Sequence, residues 1–169
     1  MFSRSRQPIN HDEVQKLELS RRRPLVQRWF GRTDEQAENQ RTDVDLFEVS
    51  VEKCFILRDF NEDQPLYILD LGGTILILFG QWMFDPHTLI ASKGVFDKWD
   101  CDKSFFATFS IRALLDSGTI FTLQVHGANF VKATHLTVDV RFKRLRECEL
   151  FPGSSESLID DLRRNGLIE

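Results

Sequence analysis

Two apolar runs meet at a glycine pair in this chain, Leu66–Leu71 and Thr74–Phe79 around Gly72-Gly73, and no other stretch restricts the fold as much. Each run has about the length of an ordinary strand. The glycines between them supply the positive φ angles that tight hairpin turns require. On the second run Ile75, Ile77 and Phe79 point one way and Leu76 and Leu78 the other, so both faces are apolar. A strand of that kind is covered on both sides and lies inside its sheet. A membrane-spanning helix needs roughly 18–20 uninterrupted apolar residues. Here Asp70, the two glycines, Gly80 and Gln81 interrupt the stretch.

The turn itself, Asp70-Leu-Gly-Gly-Thr74, resembles the DxGGT phosphate loop of sugar kinases and actin-like ATPases, and the DxDGT nucleophile loop of haloacid-dehalogenase-type phosphatases. The second aspartate of the phosphatase loop is Gly72 here, and the polar residue of the kinase loop is Ile75. A chain of 169 residues is also too short for the two lobes that clamp ATP in such kinases. The turn therefore reads as a hairpin.

Period-two patterning extends the β reading. Phe47, Val49 and Val51 alternate with acids and a serine, and the strand is expected to continue through Phe55 and Leu57. Phe105, Ala107, Phe109 and Ile111 share one face of a further strand. Phe121, Leu123 and Val125 belong to another, and Leu136, Val138, Val140 and Phe142 to a third. Trp82, Phe109, Phe121, Leu123, Val138 and Phe142 are the expected core. Near the end, a serine N-cap, Leu158, Ile159 and Leu162 on one face, and Arg163-Arg164 in the last turn predict a helix over 155–164. The expected fold is mainly β: an antiparallel sandwich or small barrel spanning 43–150, preceded by an arm over 1–42 with short helices and followed by a helix packed on it within 151–169.

Fifteen phenylalanines against one tyrosine favour an aromatic core over a wet aromatic binding surface. Three cysteines, Cys54, Cys101 and Cys148, without a CxxC pair, argue against a disulfide framework or a cysteine zinc site. They suit buried thiols in a reducing compartment. With no apolar leader and no membrane-length run, a cytoplasmic protein is expected.

The net charge of −4 conceals an uneven distribution. Residues 1–32 carry eight Lys/Arg against three acids, a net +5, which leaves −9 on the remainder. Within the arm residues 1–9 read as a loose tail, and Asn10 and Glu13 form a capping box that opens a short helix. Arg21, Arg22, Arg23, Arg28, Trp29, Phe30 and Arg32 then interleave cations with aromatic residues. Such a pattern suits docking to a protein partner, to a headgroup layer, nucleic acid or other anionic surface, or to the chain's own acidic body.

The long connection 85–103 is the other candidate site, since long irregular loops often carry function. Asp85 and His87 can face one ion on an extended segment, and Asp97, Asp100 and Asp102 cluster around Trp99. The cluster lacks the glycine and spacing of an EF-hand. His11 in the arm, with His126 and His135 at strand ends or on adjacent strands, completes the chemical inventory. No GxSxG, HExxH, Walker A or GxGxxG pattern occurs.

Leu78-Phe79-Gly80-Gln81-Trp82-Met83-Phe84-Asp85 resembles the core, of the form LFxGQ[WY]x[FY][DE], of an uncharacterised group of bacterial β-rich domains. The likeness spans about residues 44–130 and takes in the hairpin before that core and Trp99, Cys101 and Phe105 after it. Some of that group occur in membrane-associated proteins. The resemblance implies a β fold and no catalytic residue. Two classes of function follow. One is a non-enzymatic interaction or regulatory module with a docking arm and no cofactor, compatible with a homo-oligomer. The other is a small hydrolase or metal-binding enzyme built on the 85–103 loop.

Overall fold

A computed structural model describes residues 2–15, 43–59, 65–79, 88–114, 119–138 and 149–165. The strands, in chain order, are β1 (Phe2–Pro8), β2 (Asp43–Ser50), β3 (Lys53–Asp59), β4 (Leu66–Asp70), β5 (Thr74–Phe79), β6 (Leu89–Ile90), β7 (Ser104–Phe106), β8 (Thr108–Leu114), β9 (Thr119–Val125), β10 (Phe130–Val138) and β11 (Glu149–Pro152). They form two sheets, ordered β1-β2-β8-β9-β6 and β11-β5-β4-β3-β10-β7. The mainly β, two-sheet plan agrees with the alternation in the sequence. Pairing is antiparallel except at β6–β9 and β3–β10, which are parallel.

Gly72 and Gly73 make the β4–β5 turn with φ of +79° and +100°, and the Leu71 amide donates to the Thr74 carbonyl across it at 2.8 Å. Both faces of this pair are covered, as its composition requires. Tyr67, Leu69, Leu76 and Leu78 face the other sheet and join Phe47, Val49, Phe109, Ile111, Leu123 and Val125 in one core. Ile68, Ile75 and Ile77 face outward into a second cluster with Leu57, Leu66, Leu136 and Ile159.

Ile159 belongs to the C-terminal helix Ser155–Arg164, found where the sequence places it. Its Ser154 N-cap accepts from the Ser157 amide, and Leu158 and Leu162 flank Ile159 on the sheet. Burying one such aliphatic side chain contributes about 1.5–3 kcal/mol. Asp70 fixes the start of the helix. Its carboxylate, on a residue 4% exposed, accepts from the Ser155 amide (2.8 Å), the Ser155 hydroxyl (2.6 Å) and the Gly72 amide (2.9 Å). Burial alone would raise its pKa, but these donors, with Lys53 nearby, outweigh burial and hold the carboxyl below its ordinary value. Lys53 also pairs with Glu156 in the first helical turn.

The two sheets meet at a corner where three segments cross. β2 passes into β3 at Val51-Glu52, β7 into β8 at Ala107, and β9 into β10 through residues 126–129. Ala107 joins them: its carbonyl accepts from Val51 at 2.8 Å and its amide donates to Asn129 at 2.9 Å. This corner corrects two expectations. The strand through Phe47, Val49 and Val51 does not run unbroken to Phe55 and Leu57; the two-residue bend shifts the inward set to Cys54 and Ile56, and Phe55 and Leu57 face the helix. The strand expected over 105–112 is divided at Ala107, and Phe105 and Phe106 are both fully buried. A third correction concerns residues 1–9. Residues 2–8 are no loose tail but the edge strand β1, in register with β2 from Phe2 opposite Val49 to Pro8 opposite Asp43.

Phe109, Phe121 and Leu123 are fully buried, as expected for the core. Trp82 and Phe142, and the side chain of Val138, lie outside the described residues. Phe109→Ala should cost about 3–5 kcal/mol in a urea melt. A loss below roughly 1 kcal/mol would place that ring outside the core. Asp70→Asn should cost about 2–4 kcal/mol near neutral pH, since it removes a charged acceptor from buried donors. The folded pKa of Asp70 lies below its unfolded value, so its contribution is complete above the unfolded pKa and disappears as pH falls through the folded one. The stability gap between wild type and Asp70→Asn, measured by urea melts across pH, should therefore hold steady from neutrality to about pH 5 and narrow below about pH 4. A gap independent of pH would show that the carboxylate does not anchor the helix.

Candidate functional site

The described part of the 85–103 loop begins at Thr88, so Asp85 and His87 lie outside it. Leu89 and Val95 are buried beneath this loop. Trp99 packs tilted against Phe106 with ring centroids 4.3 Å apart, donates from Nε1 to the Ser104 carbonyl at 3.0 Å, and meets Phe105 edge-on. From below, the buried Tyr67 hydroxyl donates to the Cys101 carbonyl at 2.9 Å. The loop is thus pinned at both ends of its turn.

Asp100 and Asp102 lie on that turn, but Asp100 is already engaged. One of its oxygens meets Lys103 Nζ at 2.7 Å and the other accepts the Asp102 amide at 3.1 Å. The Lys103 bond, followed by the Asp102 amide, lowers the Asp100 pKa. Cys101 donates to the Asp102 carboxylate at 3.7 Å, and burial, with Asp102 beside it, raises its thiol pKa. Cys54 is buried in the core and its thiol is pushed up to about 12 by burial. Neither is an activated nucleophile, which would need a lowered pKa. Cys148 lies outside the described residues. Among the described residues, no three His, Cys, Asp or Glu side chains gather as a metal site.

The structure separates the two strand histidines. His135 is exposed on β10 of one sheet, and His126 follows β9 in the other. His126 Nε2 lies 3.1 Å from Ser110 Oγ and 3.6 Å from Glu48 Oε2. This serine–histidine–acid contact is not a catalytic triad, because the acid approaches the same ring nitrogen as the serine. In a triad it orients the opposite nitrogen.

The Asp70 turn is likewise committed. Its carboxylate is bound to the helix and the Gly72 amide, and a Cβ on Gly72 would clash with Glu52 Oε1. With two carboxylates beside it, this turn is no cradle for phosphate.

The arrangement most suited to function is the N-terminal segment. Phe2 stacks on Phe47 at 5.7 Å, and Arg4 bonds Asp45 at 2.9 Å while lying 5.8 Å above the same ring. The chain then turns across the outer face of the sheet. Ile9 packs on Val44, Leu114 and Phe121. Asn10 and Glu13 form the expected capping box: the Asn10 amide donates to Glu13 Oε2 at 2.8 Å, and the Glu13 amide to Asn10 Oδ1 at 2.9 Å. It opens a helical turn over residues 11–15. Glu13, 3% exposed, also takes a two-pronged grip from Arg112 of β8, at 2.6 Å from Nε and 3.0 Å from Nη2. The Arg112 guanidinium further donates to the Pro8 carbonyl at 3.0 Å and to Gln7. Hydrogen bonding to Glu13 raises its already high pKa.

Residues 2–15 are therefore fastened to the β body and carry no net charge, with Arg4 and Arg6 balanced by Asp12 and Glu13. The whole surplus of the arm falls on 16–32, where six Lys/Arg face one acid. Arg21, Arg22, Arg23, Arg28, Trp29, Phe30 and Arg32 all lie in that stretch, outside the described residues. The fastening residues Arg4, Asp45 and Arg112 escape a sequence reading because each is an ordinary polar position on a strand. Only the Asn10–Glu13 spacing signals them.

Comparisons of the chain with family models, with curated proteins and with solved structures return no match. No helix among the described residues is long and apolar enough to cross a membrane.

Glu13→Ala should leave Arg112 without its carboxylate and loosen residues 2–15 before the rest. Removing one member of a buried ion pair costs about 3–5 kcal/mol, less where, as here, one partner touches water. Amide exchange in β1 should accelerate by roughly thirty- to a hundredfold while β4 and β5 keep their protection. Unchanged exchange in β1 would show that the pair does not hold the segment.

Proposed function

We propose that this chain is a non-enzymatic interaction or regulatory module, in which the two-sheet body presents a basic arm to an anionic surface or to a protein partner. The observation that carries the reading is the grip of Arg112 on Glu13, which roots the arm at a fixed place on the body just before its cationic stretch begins. The interleaving of Arg28, Trp29, Phe30 and Arg32 supports contact with a surface that is anionic outside and apolar beneath. A cytoplasmic setting accords with the free thiols Cys54 and Cys101. The β-rich group the chain resembles brings no activity that argues for an enzyme. The hydrolase or metal-enzyme reading of the 85–103 loop draws no support from Asp100, whose carboxylate is taken up by Lys103 and a backbone amide.

Binding of the full chain to phosphatidylglycerol vesicles, phosphatidylcholine vesicles and duplex DNA, at low and high salt, tests this. A salt-sensitive interaction with an anionic probe is expected. Replacing Arg21, Arg22, Arg23, Arg28 and Arg32 together by glutamine should weaken it at least tenfold, since each basic residue near an anionic surface contributes about 1 kcal/mol. The melting temperature should not move. Absence of salt-sensitive binding by the wild type would overturn the anionic-surface reading.

A further inference from the structure

We propose that the outer edge of β1 is a strand-addition site for an extended acidic segment of a partner protein. The inference rests on the reading of the chain as an interaction module, and it names a surface and a partner chemistry. Among the described residues β1 is the last strand of its sheet, and Ser3, Arg4, Ser5 and Arg6 are all exposed along it. One side of its backbone is bonded to β2 over seven residues. On the other side, alternate residues point amides and carbonyls away from the sheet, the template to which an extended peptide adds. The edge is held rigid by the Phe2–Phe47 stack, the Arg4–Asp45 bond and the Glu13–Arg112 grip, so a ligand need not order it.

Charge selects the occupant. From Phe2 to Pro8 the strand holds two arginines and no acid. A second copy is disfavoured: antiparallel pairing of two β1 strands about Ser5 sets Arg4 of each against Arg6 of the other. Like charges directly opposed across strands are destabilising, whereas glutamate or aspartate in those places is favourable. Arg6, exposed beside the Asp45-bound Arg4, thus helps keep the edge from pairing with itself and admits an acidic strand.

The test uses the full chain and a fluorescent peptide of about seven residues, alternating glutamate with threonine and valine. Its controls are the same peptide N-methylated at alternate residues and a lysine version. Fluorescence anisotropy should show binding of the glutamate peptide, at least tenfold weaker binding of the N-methylated one, and slowed amide exchange at alternate residues of β1. Arg6→Glu should weaken the glutamate peptide about tenfold and favour the lysine peptide, with exchange in the unliganded β1 unchanged. The variant with five arm arginines replaced should still bind the peptide. Failure of the glutamate peptide to bind, or equal binding of the N-methylated peptide, would overturn the proposal. Binding lost in the arm variant but not in Arg6→Glu would also overturn it, while leaving the arm as an anion-binding element. Peptide binding without vesicle or DNA binding would support the edge and reject the anionic-surface reading of the arm.

Discussion

Everything in this fold answers to one requirement: the β4–β5 pair is apolar on both faces and must be covered on both. Sheet packing supplies one cover, and the second must come from outside the sheets. The C-terminal helix provides it by laying Leu158, Ile159 and Leu162 over the outward cluster around Ile68 and Ile77. Apolar contact is non-directional and would allow the helix to slide along the sheet. Asp70 removes that freedom. It stands at the end of β4 on the helix side, and its carboxylate fits only the first amide and hydroxyl of the helix together with the Gly72 amide. Hydrogen bonds to a charged group are the stronger kind, and burial makes their loss costly.

The other sheet is covered differently. Its outer face meets the N-terminal segment through a small apolar contact at Ile9 and a carboxylate–guanidinium pair. A buried ion pair loses to desolvation much of what it gains by attraction. The C-terminal cover is therefore held mainly by apolar area and the N-terminal one mainly by polar geometry. Local opening follows the weaker attachment. The segment that leads into the cationic stretch is thus fixed in place in the folded state, and of the two covers it is the one expected to open at the lower cost.

What the sequence discloses is whatever repeats at short range. The β4–β5 turn, the Asn10–Glu13 box and the helix Ser155–Arg164 each rest on a local pattern, and each is found where the pattern places it. Features made by distant residues leave no such trace. β1 alternates serine and arginine without an apolar face, so nothing in FSRSRQP distinguishes a strand from a tail until β2 is there to pair with it. The bend at Val51-Glu52 and the break at Ala107 interrupt runs that otherwise look regular, because the chain changes sheet and the inward parity changes with it. Arg112 reads as one more polar position on a half-exposed strand; its partner lies 99 residues away. Asp70 reads as an interruption in an apolar run, although it anchors the last helix.

Asp70-Leu-Gly-Gly-Thr74 also shows why a short likeness does not carry chemistry. A phosphate loop needs converging backbone amides in a positive or neutral field. In this turn the Gly72 amide donates to Asp70, and the Glu52 carboxylate closes over Gly72. Both carboxylates would repel a phosphate, and the Gly72 amide is already used by Asp70. Along the molecule, local charge separates the surfaces open to anions from those closed to them. The helix-side turn is bordered by Asp70, Glu52 and Glu156, and the Trp99 turn by Asp100 and Asp102. Among the described side chains, β1 alone of the strands carries exposed arginine without an exposed acid in its own sequence. An anionic partner approaching a body that bears −9 over residues 33–169 meets repulsion over much of the surface. That field is screened within about 8–10 Å at physiological salt, so what decides docking is the local composition of the edge it reaches.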